Sequence, residues 1–251
     1  MADTAAHLMD RVLPQVPVRQ WVLSLPFALR YGMAYDGSLT SAVLGLFVRA
    51  VFASLRRRAG MVGRRRHAQC GAVTFVQRFG DALNLNVHFH SLVLDGVYAR
   101  DGEGRLLFHP LPPPEDAEIE RVARQLARRI QRLRVRRGLG PDADASEADP
   151  VLEDQPLLAM LYAASVAGRV ATGRRAGRRT LRVGDRIDAE AIATLAGERY
   201  ASVSGVSLHA NAAVSARDRQ RLERLCHYAA RPPVATDRLS RMDDGRLLAI
   251  A

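Results

Sequence analysis

The chain of 251 residues contains no lysine, two cysteines and one tryptophan. Cys70 and Cys226 stand far apart and show no CxxC spacing, which excludes a disulfide framework and a zinc finger built from these residues. No stretch reaches the roughly 18 apolar residues of a membrane span, and the N-terminus lacks the charged-then-apolar pattern of a secretory signal. The expectation is a cytoplasmic protein without a membrane partner. Disorder is excluded as well, because 48% of the residues are apolar and can build a packed core.

With lysine absent, all 37 basic residues are arginine, and against 26 acidic residues they leave a net charge of +11. A guanidinium binds phosphate bidentately and stacks on bases, so nucleic acid is the leading partner for so basic a surface. The arginines cluster. Arg56, Arg57 and Arg58 and then Arg64, Arg65 and Arg66 flank Gly60 and Gly63, and Arg174, Arg175, Arg178 and Arg179 form a second run. Such a run is either a solvated charge cluster or a phosphate-binding loop.

Hydrophobic periodicity orders the rest. Residues 18–25 are rich in strand formers, and residues 38–58 read as a helix capped by Ser38. Residues 72–79 and 86–98 form an expected hairpin around Gly80-Asp81, extended by a strand at 105–109. Ile119, Val122, Ala123, Leu126, Ile130 and Leu133 stripe one face of a helix whose other face is nearly all arginine. An acidic loop at 140–150, a short helix at 156–168 and a strand near 180–183 follow. Residues 206–212 alternate, which puts Ser207, His209 and Asn211 on one side of a strand. Ser215 is the expected cap of a last helix reaching about Ala230, with Leu222, Leu225, Cys226 and Ala229 inward and Arg217, Arg221 and Arg224 on one strip with Tyr228.

The densest chemistry lies in Asn84-Leu85-Asn86-Val87-His88-Phe89-His90. Residues two apart on a strand share a face, so His88 and His90 project together, either as two metal ligands or as a polar stripe on a half-buried strand. Two ligands are too few for a closed structural zinc site and suggest one open to substrate. Tyr228 likewise is either an edge aromatic or a nucleophile, because neighbouring cations favour the phenolate and a metal polarises a phosphate.

Together with these motifs, Val18-Arg19-Gln20-Trp21-Val22-Leu23-Ser24-Leu25-Pro26, Gln77-Arg78-Phe79-Gly80, Leu94-Asp95-Gly96-Val97-Tyr98, Gly205-Val206-Ser207-Leu208-His209-Ala210 and Leu225-Cys226-His227-Tyr228-Ala229-Ala230-Arg231-Pro232-Pro233 carry a resemblance across nearly the whole chain. The sequence resembles the His-hydrophobic-His (HUH) transposases of the rolling-circle insertion-sequence family typified by insertion sequence 91 and its common-region relatives. The resemblance implies an α+β fold, a ferredoxin- or RRM-like nuclease palm, spanning residues 1–251 as one core. It also implies cleavage and rejoining of single-stranded DNA at transposon ends through a 5′-phosphotyrosyl intermediate on Tyr228. A divalent ion, Mg²⁺ or Mn²⁺, would be held by His88, His90 and a third ligand, with His209 the first choice, Gln77 the second and Glu223 the third. Arg64, Arg65, Arg66, Arg217, Arg221, Arg224 and Arg231 are the expected DNA contacts, and the number of copies stays open.

Two-tyrosine relatives carry a second tyrosine where this chain has Arg224, so the resemblance is to the single-tyrosine branch. Relatives also carry a cysteine-rich segment upstream and continue past Asp243-Asp244-Gly245, so the expectation is a nuclease core alone, as a fragment or a decayed copy. The alternatives are a replication initiator or relaxase of the same chemistry, an inactive DNA-binding remnant, and a metal hydrolase of a small substrate. The last leaves the basic helix and loops unexplained.

Overall fold

The computed structural model describes residues 2–61, 68–79, 85–139, 199–230, 239–241 and 247–249. The helix α1 (Ala2–His7) runs into a π-helical turn (Leu8–Val12), which leads to β1 (Val18–Ser24), α2 (Phe27–Tyr35) and α3 (Gly37–Arg58). Next come β2 (Ala68–Gln69), β3 (Ala72–Phe79), β4 (Leu85–Leu94), β5 (Gly96–Arg100), β6 (Leu106–Pro110) and α4 (Asp116–Arg136). After them stand β7 (Tyr200–Val203), β8 (Val206–His209), β9 (Ala213–Val214), α5 (Arg219–Ala229) and a small pair, β10 (Leu239–Arg241) and β11 (Leu247–Ala249).

A central antiparallel sheet runs β3-β4-β1-β8-β7, with β9 also paired to β1. Alternation along its strands sends Trp21, Leu23, Val87, Phe89, Val93 and Leu208 to one side, where Leu29, Met33, Val43, Phe47, Ile119 and Leu126 of α2, α3 and α4 cover them. The other side offers Val18, Leu92 and Leu94 to Leu222, Cys226 and Ala229 of α5 and to Ala5 and Leu8 from the N-terminus. The class is α+β, as expected.

A buried ion pair locks one end of β1 to the end of β4. Arg19 donates from Nε and Nη2 to Asp95 Oδ2 at 2.9 and 2.7 Å and from Nη1 to the Ala210 carbonyl at 2.9 Å, with the two side chains 3% and 7% exposed. Asp95 also divides the strand expected over 86–98. Its N–H bonds the Pro17 carbonyl and its carbonyl accepts from Leu111, so the chain leaves the main sheet there. The 105–109 strand accordingly joins β5 and β2 in a separate three-stranded sheet and does not extend the first.

Other expectations shift for local reasons. Asp36, and not Ser38, caps α3 by accepting from the Ser38 and Leu39 amides, a carboxylate that also suits the positive end of the helix. Asp218, and not Ser215, caps α5 by accepting from Arg221 N, so Arg217 lies in the preceding turn outside the helical strip. The strand expected at 206–212 stops at His209, and Asn211 accepts beyond it from Arg199. Contrary to expectation, α3 is long and apolar enough to span a membrane by composition. Its apolar stripe is occupied by the core, where Val43, Phe47, Val51 and Leu55 are at most 1% exposed. The turn at Gly80-Asp81 and the segments expected at 140–150, 156–168 and 174–183 lie outside the described residues.

Replacing Asp95 with alanine strands a buried guanidinium and should cost about 3–5 kcal/mol. The urea unfolding midpoint should fall accordingly, and replacing Arg19 with methionine in the same chain should recover part of the loss.

Candidate functional site

The register of four strands places the site. Val22 of β1 pairs with His90 of β4 on one side and His209 of β8 on the other, and His88 pairs with Gln77 of β3. Paired positions share a face, so His88, His90, His209 and Gln77 all point toward the α5 side. The imidazoles of His88 and His90 lie 4.9 Å apart between ring centroids, and the Tyr228 ring meets His90 edge-on at 5.7 Å. The expected pair and the expected tyrosine are therefore neighbours on one side of the sheet.

Tyr228 is held there from two directions. Cys226 and Ala229 are buried beneath α5, and Gln77 Nε2 donates to the Ala229 carbonyl at 3.2 Å, tying the end of the helix to the strand edge. Tyr228 is 52% exposed, so an extended polymer can reach it. Arg221 and Arg224 are exposed seven and four residues before Tyr228 on the same helix, one strip at 3.6 residues per turn.

The histidines have distinct supports. His88 Nδ1 lies 2.6 Å from the Asn86 carbonyl, which can only accept, so Nδ1 carries the proton and the lone pair sits on Nε2. His90 Nδ1 is 2.8 Å from the amide of Gln20, a partner that the sequence reading missed. Its signal was a glutamine between Val18 and Val22 on one face of β1. Burial, and after it the repulsion that a second proton would meet beside His88, pushes the pKa of His90 down to about 4, and burial also lowers that of His209. A neutral imidazole keeps a lone pair that can be donated to a metal ion, and it carries no charge to pair with an anion.

The three choices for a third ligand fare differently. His209 is two strands from His90 across β1, roughly 10 Å at the usual interstrand spacing. Glu223 is exposed and turns to His227, 3.8 Å away. Among the described residues no three His, Cys, Asp or Glu side chains converge on a metal-sized site. Gln77 sits directly opposite His88 and can present an amide oxygen while its nitrogen holds the helix. Two imidazoles and one amide are thus the donors that the register sets side by side, a set with more nitrogen than Mg²⁺ prefers and one that Mn²⁺ or Zn²⁺ would accept. Arg64, Arg65, Arg66 and Arg231 lie outside the described residues.

A family model, Y2_Tnp, described as "Putative transposase", matches residues 71–249, a span that carries both histidines and Tyr228. The chain belongs to this transposase family. No curated protein and no solved structure matches it.

A histidine held neutral by burial opposes folding in acid. The unfolded chain takes up the proton near pH 6.5 and the native one only near pH 4, so stability should fall as pH drops between these values and level off below. Thermal melting in a chelator should show this, with a shallower decline for His90→Gln; His209 contributes in the same direction.

Proposed function

We propose that the protein is the cleaving and joining component of rolling-circle DNA transposition, acting in the cytoplasm on single-stranded DNA at transposon ends. The observation that carries this reading is the half-exposed Tyr228 ring against His90 on the α5 side of the sheet. The Tyr228 oxygen attacks the scissile phosphorus and forms a 5′-phosphotyrosyl bond as the bond to the 3′ oxygen breaks. The phenolic proton is lost, and the departing 3′ oxygen gains one. Rejoining reverses the exchange when a 3′ hydroxyl attacks the phosphotyrosine, which conserves bond energy and needs no ATP.

His88, His90 and Gln77 would hold a divalent ion whose chemistry is to polarise the scissile phosphate as a Lewis acid. Asn86 and Gln20 orient the imidazoles, as outer partners of metal-ligating histidines do. Arg221 and Arg224 line the strip that leads to Tyr228 and neutralise phosphates on one side of the cut. Arg224 stands where a second tyrosine would sit, so one nucleophile serves both cleavage and joining, and the free 3′ end waits on the protein between the two steps.

Labelled single-stranded oligonucleotides from the element's ends should form a denaturation-resistant protein adduct with Mn²⁺. The adduct should vanish for Tyr228→Phe and fall at least a hundredfold for His90→Ala, while both variants keep DNA binding. Binding without any adduct across all end sequences would instead identify an inactive DNA-binding remnant. Gln77→Ala should raise the Mn²⁺ concentration needed for half-maximal adduct by about 10–100-fold if the amide is a ligand. An unchanged metal requirement would remove Gln77 from the set.

A further inference from the structure

We infer that a groove between α3 and α4, on the side of the sheet away from Tyr228, is a second track for single-stranded DNA. The groove has a volume of about 660 Å³, with Arg49, Arg129, Arg132 and Arg136 around an apolar floor of Leu46, Ala53 and Val135. Both helices bury their opposite faces against Trp21, Phe89 and their neighbours, so the groove looks away from the histidines.

Charge on these helices is segregated. The carboxylates of α4 all stand in its first turns, where Glu118 and Glu120 pair with Arg121 and Arg124, and α3 has none. None of the four groove arginines has an acidic partner among the described residues. The usual reason for an arginine-rich helix, pairing with acids one turn away, is therefore absent here. Helix-end electrostatics accounts for arginines in a last turn, but Arg49 and Arg129 lie well inside their helices. Guanidiniums gathered in one concavity repel one another until an anion enters.

The shape selects the anion. Arg129, Arg132 and Arg136 climb one face of α4 over about 10 Å at the helical rise, enough for successive phosphates of one strand. Val135 is 61% exposed in the floor, where unpaired bases and sugars can rest. A duplex, its bases paired inward, would meet the arginines and leave that floor uncovered. With the two tracks on opposite faces, one stretch of DNA can lie at Tyr228 while another is held behind the sheet.

The test is fluorescence anisotropy of a labelled 30-nucleotide single strand and the matching duplex, titrated over NaCl in a Tyr228→Phe background. Because the readout is binding, it stands whether or not Tyr228 reacts. Arg129→Gln with Arg132→Gln should weaken single-strand binding at least fivefold and flatten the log affinity against log salt slope by about one. Arg121→Gln with Arg124→Gln removes the same charge from the same helix and should change affinity less than twofold. Lysine at 129 and 132 should retain the salt slope. Equal losses from both glutamine pairs, no loss from the groove pair, or a larger loss for duplex than for single strand would each overturn the assignment.

Discussion

The register of β1 between β4 and β8 is the constraint on which the rest depends. Side chains on a strand alternate strictly, so sliding β4 by one residue against β1 would turn Val87 and Phe89 outward and bury His88 and His90 in the apolar core. Three features hold the alignment: the Arg19–Asp95 ion pair at one end, the Gln20–His90 contact within, and the apolar side chains that fit only one face. The ion pair is costly to desolvate and is weak evidence for stability by itself. Its role is to specify, since Arg19 joins the end of β4 to the chain leaving β8 through the Ala210 carbonyl.

From that register the two faces acquire different work. One is closed by α2, α3 and α4 and supplies the larger core. On the other, α5 sets the exposed Tyr228 against the buried His90, with His88 and Gln77 on the same face of the sheet. Gln77 serves both parts, since it stands opposite His88 in the hairpin and bonds the helix residue next to the tyrosine. That bond adds to the hold of Leu222, Cys226 and Ala229, which anchor the helix from below.

Much of this was legible beforehand where a period was long or a motif dense. The α4 stripe from Ile119 to Leu133, the β1 strand and the shared face of His88 and His90 all follow from spacing. Shorter signals misled. Ser38 and Ser215 are acceptable caps, but the aspartates at 36 and 218 reach the orphan amides, and a sequence pattern does not say which of two polar residues sits at the geometric start of a helix. Residues 86–98 read as one strand because nothing local marks Asp95 as a bend; its partners, Pro17, Arg19 and Leu111, are distant in the chain. The order of preference between His209 and Gln77 could not take β1 into account for the same reason, since a strand intervening between two others is a property of sheet order.

The sequence by itself determined the transposase family, the basic surface, the elements with strong periodicity and the pairing of two imidazoles on one strand face. Each of these depends on residues close together in the chain or on composition, where covalent geometry sets the outcome. Tertiary structure alone decided that Tyr228 lies against His90, that Gln77 and not His209 adjoins the pair, and that four arginines from two helices share one groove. Those contacts join residues far apart in sequence, and they exist only because burial of two apolar faces selects a single strand order and register.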